Sequence, residues 1–163
     1  MKNDCNENIC DWLRDAHAME EQAEKLFSGQ ADRLKSYTGL RAKLGREVKY
    51  IMENQALLST RMEQLGSSSS AIKDIAGKFI AGAQNILGMP MSDEPVKGIL
   101  ALHTFTQMAI GSYKILIAAA QAVNDYETSR ICNLILNQTE GRAAWIEEQL
   151  QEVTKTFLLS NAA

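Results

Sequence analysis

The sequence has only two prolines and three cysteines in 163 residues, and 6% of it is aromatic. So little proline leaves long regular segments uninterrupted, and a hydrophobic content of 45% excludes a disordered chain. Cys5, Cys10 and Cys132 are an odd set without CxxC spacing, which argues against a zinc knuckle or a disulfide framework. A reduced, cytoplasmic setting is the expectation. No run approaches the ~20 apolar residues of a membrane span. The opening MKNDCNENICDW is polar where a signal peptide is apolar. The formal net charge is −3, and the 17 Lys and Arg are scattered. The chain therefore lacks the positive field that phosphate recognition needs. Neither nucleic acid nor membrane is expected as a partner.

What the sequence does have is helical periodicity. Its length suits a single domain over 1–163. The spacing predicts a first helix from about Asn8 to Ser36 and a second, capped by Thr38, that ends near Gly66. After the polar run Ser67 to Ser70 a shorter helix is expected from Ala71 to about Leu87, closed by Gly88 and Pro90. A fourth begins at Ser92 or Asp93 with Pro95 in its first turn. Asn124 and Asp125 turn the chain into a fifth that ends near Leu159. Two long hairpins joined by a long connection predict an all-α, up-down-down-up four-helix bundle with the additional shorter helix in the crossover.

One carboxylate is out of place in this pattern. At ~100° per residue, Ile9, Trp12, Ala16, Ala23 and Phe27 share one direction on the first helix, and Glu20 projects with them. A carboxylate aimed into a core must find a partner, bind a metal or stay protonated. On the last helix, Ile135, Ile146 and Val153 define the inward face, and Arg142 lies within about 20° of it. Height estimates at ~1.5 Å per residue put Glu20, Gln55, Ala109 and Gln138 at one level, with Arg142 about a turn away. A buried polar network of Glu20, Gln55, Thr106, Gln138, Thr139 and Arg142 is expected, with the guanidinium paired to Glu20. Neither His17 nor His103 follows an inward Glu by three residues, so the Glu-x-x-His signature of di-iron bundles is absent.

The stretches DWLRDAHAMEEQAE (Asp11 to Glu24), GLRAKL (Gly39 to Leu44), AIKDIAGK (Ala71 to Lys78), SDEPVKG (Ser92 to Gly98), SYKILIAAA (Ser112 to Ala120), LILN (Leu134 to Asn137), AAW (Ala143 to Trp145) and TKTFL (Thr154 to Leu158) resemble the YciE branch of the YciE/YciF family. These are ferritin-like proteins associated with bacterial stress responses. The resemblance implies a ferritin-like bundle, a homodimer, and a carboxylate-rich two-metal site in better-preserved members. Glu20 stands at one of that family's ligand positions. At the others this chain has Tyr50 or Ile51, Thr106, Ala109, Gln138, Thr139 and Ala144. No metal is expected, and Glu20 is the only residual ligand position.

The reading carried forward is a non-catalytic pseudoenzyme, stress-associated, acting through protein binding or self-assembly and needing no cofactor. Apolar residues outside the main stripes (Leu13, Ile110, Ile117 and Leu159) are expected to serve a dimer packed chiefly through the first two helices. One alternative is an iron or manganese protein whose reshaped site at Glu20 draws on Glu47, Glu53 or His17. Another is a small-ligand or thiol-redox stress sensor using the polar centre or the cysteines.

Overall fold

The structure, a computed structural model, describes residues 7–67 and 94–162. Among the described residues the regular elements are four α-helices: α1 (Glu7–Arg33), α2 (Thr38–Gln64), α3 (Glu94–Ala122) and α4 (Tyr126–Asn161). The expected crossover helix from Ala71 to Leu87 lies outside the described residues. The helix boundaries follow from local chemistry. Glu7 sits in the first turn of α1 and Arg33 in its last, each opposing the helix dipole. Thr38 does not cap α2. The cap position is Tyr37, with no side-chain hydrogen bond, and Thr38 is the first helical residue.

Two turns close with the same device. At the end of α2, Ser67 N–H donates to Met62 C=O and Gly66 N–H to Glu63 C=O, with Gly66 at φ +71°. This is a Schellman ending, for which glycine has no Cβ penalty. After α3, Asp125 N–H donates to Ala120 C=O and Asn124 N–H to Gln121 C=O. Here Asn124 takes the left-handed position at φ 59°. Asp125 then caps α4 by accepting from Thr128 N–H at 3.0 Å. Arg61 of α2 reaches this turn, with Nη2 to Asp125 Oδ1 at 2.7 Å and Nε to Thr128 Oγ1 at 2.8 Å. One guanidinium thus ties the end of α2 to the α3–α4 turn.

The most extensive packing is α3 on α4 and α1 on α2, with α1 also lying along α3. Glu20 meets Tyr113 while Arg33 meets Glu94, so α1 and α3 run in opposite directions. Glu47 meets Arg142 while Arg61 meets Asp125, so α2 and α4 do as well. Gly98 lets α3 approach α1, because a methyl group there would collide with the side chain of Gln30.

Among the described residues the core has two apolar clusters, with Phe105 packed against both. One holds Ile9, Leu13, Met19, Leu58, Met62, Ala109, Tyr113, Leu116, Ile135 and Leu136. The other holds Ala23, Phe27, Leu44, Ile51, Ile99, Leu102, Ile146 and Val153. Two residues expected on a dimer face belong to this interior: Leu13 is fully buried and Ile117 nearly so. Ile110 is half-buried, packed against the first cluster, and Leu159 is exposed. The phase of Leu13 and Ile117 lies off the main stripe, but each helix packs against more than one neighbour, which widens its buried face.

Candidate functional site: a polar layer across the bundle

On every helix the change from one apolar cluster to the other falls at a buried polar residue. On α1 it is Glu20, between Met19 and Ala23; on α2 it is Asn54, between Ile51 and Leu58. On α3 it is Thr106, between Leu102 and Ala109; on α4 it is Thr139 with Arg142, between Leu136 and Ile146. All five side chains are buried, and Asn54 is completely so. The layer contains two anionic centres, each with its own partners.

Glu20 is held by neutral groups. Tyr113 Oη–H donates to its Oε1 at 2.6 Å, and Asn54 Nδ2 approaches its Oε2 at 3.5 Å. Burial raises the pKa of this carboxyl, more than the Tyr113 hydrogen bond, the Arg142 charge and the Asn54 contact lower it. The same burial, together with the neighbouring Glu20, pushes the Tyr113 phenol well above its ordinary value.

Glu47 is held by cations. Arg142 Nε donates to its Oε2 at 2.9 Å, and both side chains are almost wholly enclosed. Lys43, one turn earlier on α2, bonds the other carboxylate oxygen. Arg142 also lies 5.5 Å from the Phe27 ring centre, and Lys43 lies 5.5 Å from that of Trp145. The sequence Phe27, Arg142, Glu47, Lys43, Trp145 therefore runs from the core toward the surface, with charges in alternation and an aromatic ring at each end.

The expected network is corrected in its connections. Arg142 bonds Glu47 rather than Glu20, because Glu47 lies at the level of Arg142 and Phe27 while Glu20 lies with Tyr113 and Asn54. Gln55 reaches the backbone carbonyl of Glu20 at 3.3 Å and Glu24 Oε2 at 2.8 Å, not the Glu20 carboxylate. Its neighbour Asn54 occupies the inward position. Thr106 donates to Leu102 C=O and Thr139 to Ile135 C=O, so both hydroxyl protons are engaged by their own helices. Gln138 is half-buried with Oε1 unpartnered. Glu53 is exposed. His17 is buried beside Glu21 at 3.8 Å, and burial lowers its pKa despite that neighbour. Trp12, expected to face inward, is 39% exposed.

Besides Lys43, and Glu47, which was expected only as an alternative metal ligand, the members that sequence reasoning missed are Asn54 and Tyr113. Both sit in the apolar stripes of their helices, and an amide or phenol inside a stripe is the signal that could have found them. Cys132 is free and fully buried, and burial pushes its thiol up to about 12, so it is an inert packing residue. Cys10 is disulfide-bonded, against the expectation of reduced cysteines. An odd count still leaves room for one pair, and the partner lies outside the described residues.

Two metals held in a bundle need several carboxylates converging from facing helices. Here Arg142 and Lys43 neutralise Glu47, and Tyr113 and Asn54 occupy Glu20. Arg142 Nη2 is a buried donor without a partner among the described residues, and it would face any entering cation with positive charge. Among the described residues no three of His, Cys, Asp and Glu come together closely enough to hold a metal. The residues of this layer do not fit a di-metal centre. Among the described residues, no helix is long and apolar enough to cross a membrane.

The chain is similar over almost its full length to a protein from Xanthomonas campestris pv. campestris known from its crystal structure. The two share 26% identity and a TM-score of 0.80, with 96% of this chain and 97% of the other covered. The family described as "Domain of unknown function (DUF892)" matches residues 4–159, and the chain belongs to it.

Proposed function

We propose that the chain is a ferritin-like bundle of the YciE/YciF type, near the YciE branch, whose metal centre has given way to a fixed organic ion pair. It acts in a stress-associated setting by binding protein and by pairing with a second copy of itself, not by catalysis. The observation that carries this reading is the buried Arg142–Glu47 pair at 2.9 Å. It sets a guanidinium into a layer where four helices each contribute a buried polar residue. The helix directions support the fold assignment, since opposed α1/α2, α1/α3 and α2/α4 are what an up-down-down-up bundle requires. Tyr50 and Met52 are exposed on α2, about 200° apart around the helix, so either side of α2 can contribute an apolar residue to a dimer. The test is elemental analysis of the purified protein together with a ferrous-oxidation assay. Far less than one iron or manganese per chain, and oxidation no faster than in buffer, are expected. Stoichiometric metal, or rapid oxidation abolished by Glu20→Ala, would overturn the reading in favour of a reshaped metal site. Sedimentation showing only monomer at micromolar concentration would remove the dimer.

One observation favours a second reading. The Cys10 disulfide suits a thiol-redox sensor better than a protein kept reduced in the cytoplasm. Thiol titration of protein purified with and without reductant separates the two. A Cys10 that reacts only after reduction, and whose oxidation changes the sedimentation of the chain, would support the sensor.

A further inference from the structure

A cleft of about 180 Å³ opens between α1 and α3, lined by Trp12, Asp15, Ala16, Met19, Ser112 and Ile115. Ala16 and Met19 form its buried floor, while Trp12 and Ile115 stand partly in solvent as walls. Its polar groups are Asp15 and Ser112. Asp15 is half-buried and has no hydrogen bond or ion pair among the described residues. Arg14, the neighbouring cation in the chain, bonds Asp11 and Ser67 Oγ at 2.8 Å. Ser112 Oγ donates to Met108 C=O, which leaves its lone pairs free to accept. An anion and a free acceptor at an otherwise apolar cleft are complementary to a cationic donor on an aliphatic stem. At the ~30 Å³ share of one water, the space holds about six water-sized groups, far less than a drug-sized ligand needs.

We propose that this cleft binds a small free primary alkylamine of about five carbons. Its ammonium meets the Asp15 carboxylate and Ser112 Oγ, and its methylenes lie on Met19, Ile115 and the Trp12 indole. The occupant is a cation because Asp15, without an ion pair among the described residues, borders an otherwise apolar cleft, a position that favours an opposite charge. Burial, with Asp11 nearby, raises the pKa of this carboxyl more than Arg14 lowers it, a cost that an ammonium seated beside it would offset. The site is separate from the polar layer and does not depend on the function proposed above.

The experiment uses the full chain with Trp145→Phe, so that Trp12 is the only indole. Its fluorescence is titrated with 1,5-diaminopentane, with pentane-1,5-diol, and with lysine blocked at both ends of its backbone. Saturation by the diamine on the order of millimolar is expected, with no saturation by the diol. Adding Asp15→Asn, which keeps the side-chain shape, should weaken diamine binding about fivefold. Ile115→Ser, at a site exposed enough to leave folding intact, should weaken it as well, and circular dichroism checks that both variants remain helical. An equal response to diol and diamine, or a diamine titration unmoved by Asp15→Asn, overturns the site. Saturation by the blocked lysine alone overturns its assignment to a free amine.

Discussion

Arg142 Nε lies 2.9 Å from Glu47 Oε2, and the contact joins α4 to α2 across 95 positions of chain with both side chains enclosed. These two helices otherwise touch little. The pair is therefore the main polar tie between α2 and α4 at this level, alongside the Arg61 contacts at the turn and the Glu20–Tyr113 bond that joins α1 to α3. Removing one partner of a buried pair leaves the other charged and desolvated, whereas removing both is much less costly.

Arg142→Met should destabilise the fold by about 3 kcal/mol, the lower end of the range for breaking a buried pair, since Lys43 still serves Glu47. Arg142→Met combined with Glu47→Leu should recover most of that loss. Chemical denaturation of the two single variants and the double variant gives the coupling energy directly. Additive losses would mean that the two side chains stabilise the bundle independently.

Glu20→Gln should leave stability at neutral pH within about 1 kcal/mol of the parent, or raise it. The amide can still accept from Tyr113. Asn54 Oδ1, buried without a partner among the described residues, can accept from the new Nε2 once the Asn54 amide turns over. The pH profile tests the same point. Burial raises the pKa of Glu20, so the folded state holds this proton more tightly than the unfolded chain does. That contribution is full below the unfolded value and is lost as pH rises through the raised folded value. The variant should lack this decline, which denaturation midpoints between pH 4 and 8 would measure.

The four described helices were readable because they rest on stripe periodicity and on turn chemistry that leaves marks in sequence. Gly66 after α2 and Asn124–Asp125 between α3 and α4 are such marks, and the helix ends fall within a few residues of them. The polar layer was readable in part. Glu20 and Arg142 project inward by phase, Thr106 and Thr139 stand at positions marked by the family resemblance, and all four are buried. Their partners were not readable, because phase fixes direction but not height. An error of one turn, ~5.4 Å, exchanges Glu47 for Glu20 as the anion facing Arg142. A shift of one residue, ~100°, separates Gln55 on the flank from Asn54 in the core.

Arg61→Met should loosen the α3–α4 turn and cost about 2 kcal/mol, since it removes charge-assisted bonds to Asp125 and Thr128. Hydrogen exchange should quicken locally at residues 123–128 before it does in the helix centres. The sign of the pH effect is opposite to that of Glu20. Burial raises the Asp125 pKa, but the Thr128 bonds and Arg61 outweigh it and the net shift is downward. Stability from Asp125 is therefore present above its unfolded value and is lost as pH falls through the folded one. Asp125→Asn should remove that acid-side loss. An unchanged acid limb in the variant would show that the turn is held by packing alone.

If the polar layer descends from a metal centre, its geometry should still accept one once the carboxylates are supplied and the guanidinium is removed. Asn54→Glu, Thr106→Glu and Thr139→Glu, combined with Arg142→Leu, would set three new carboxylates around Glu20, one from each of the other helices. Without metal this chain should be less stable than the parent, because unneutralised buried carboxylates repel one another and pay for desolvation. Manganese or cobalt should reverse the loss in a saturable way, raising stability by about 2.7 kcal/mol at a hundredfold excess over the dissociation constant. The parent chain, with Arg142 in place, should show no such dependence. Thermal melts over a metal titration read both effects. If the four-substitution chain folds but gains nothing from either metal, the layer does not have the spacing of a di-metal site. The ferritin-like descent proposed here would then lose its chemical support.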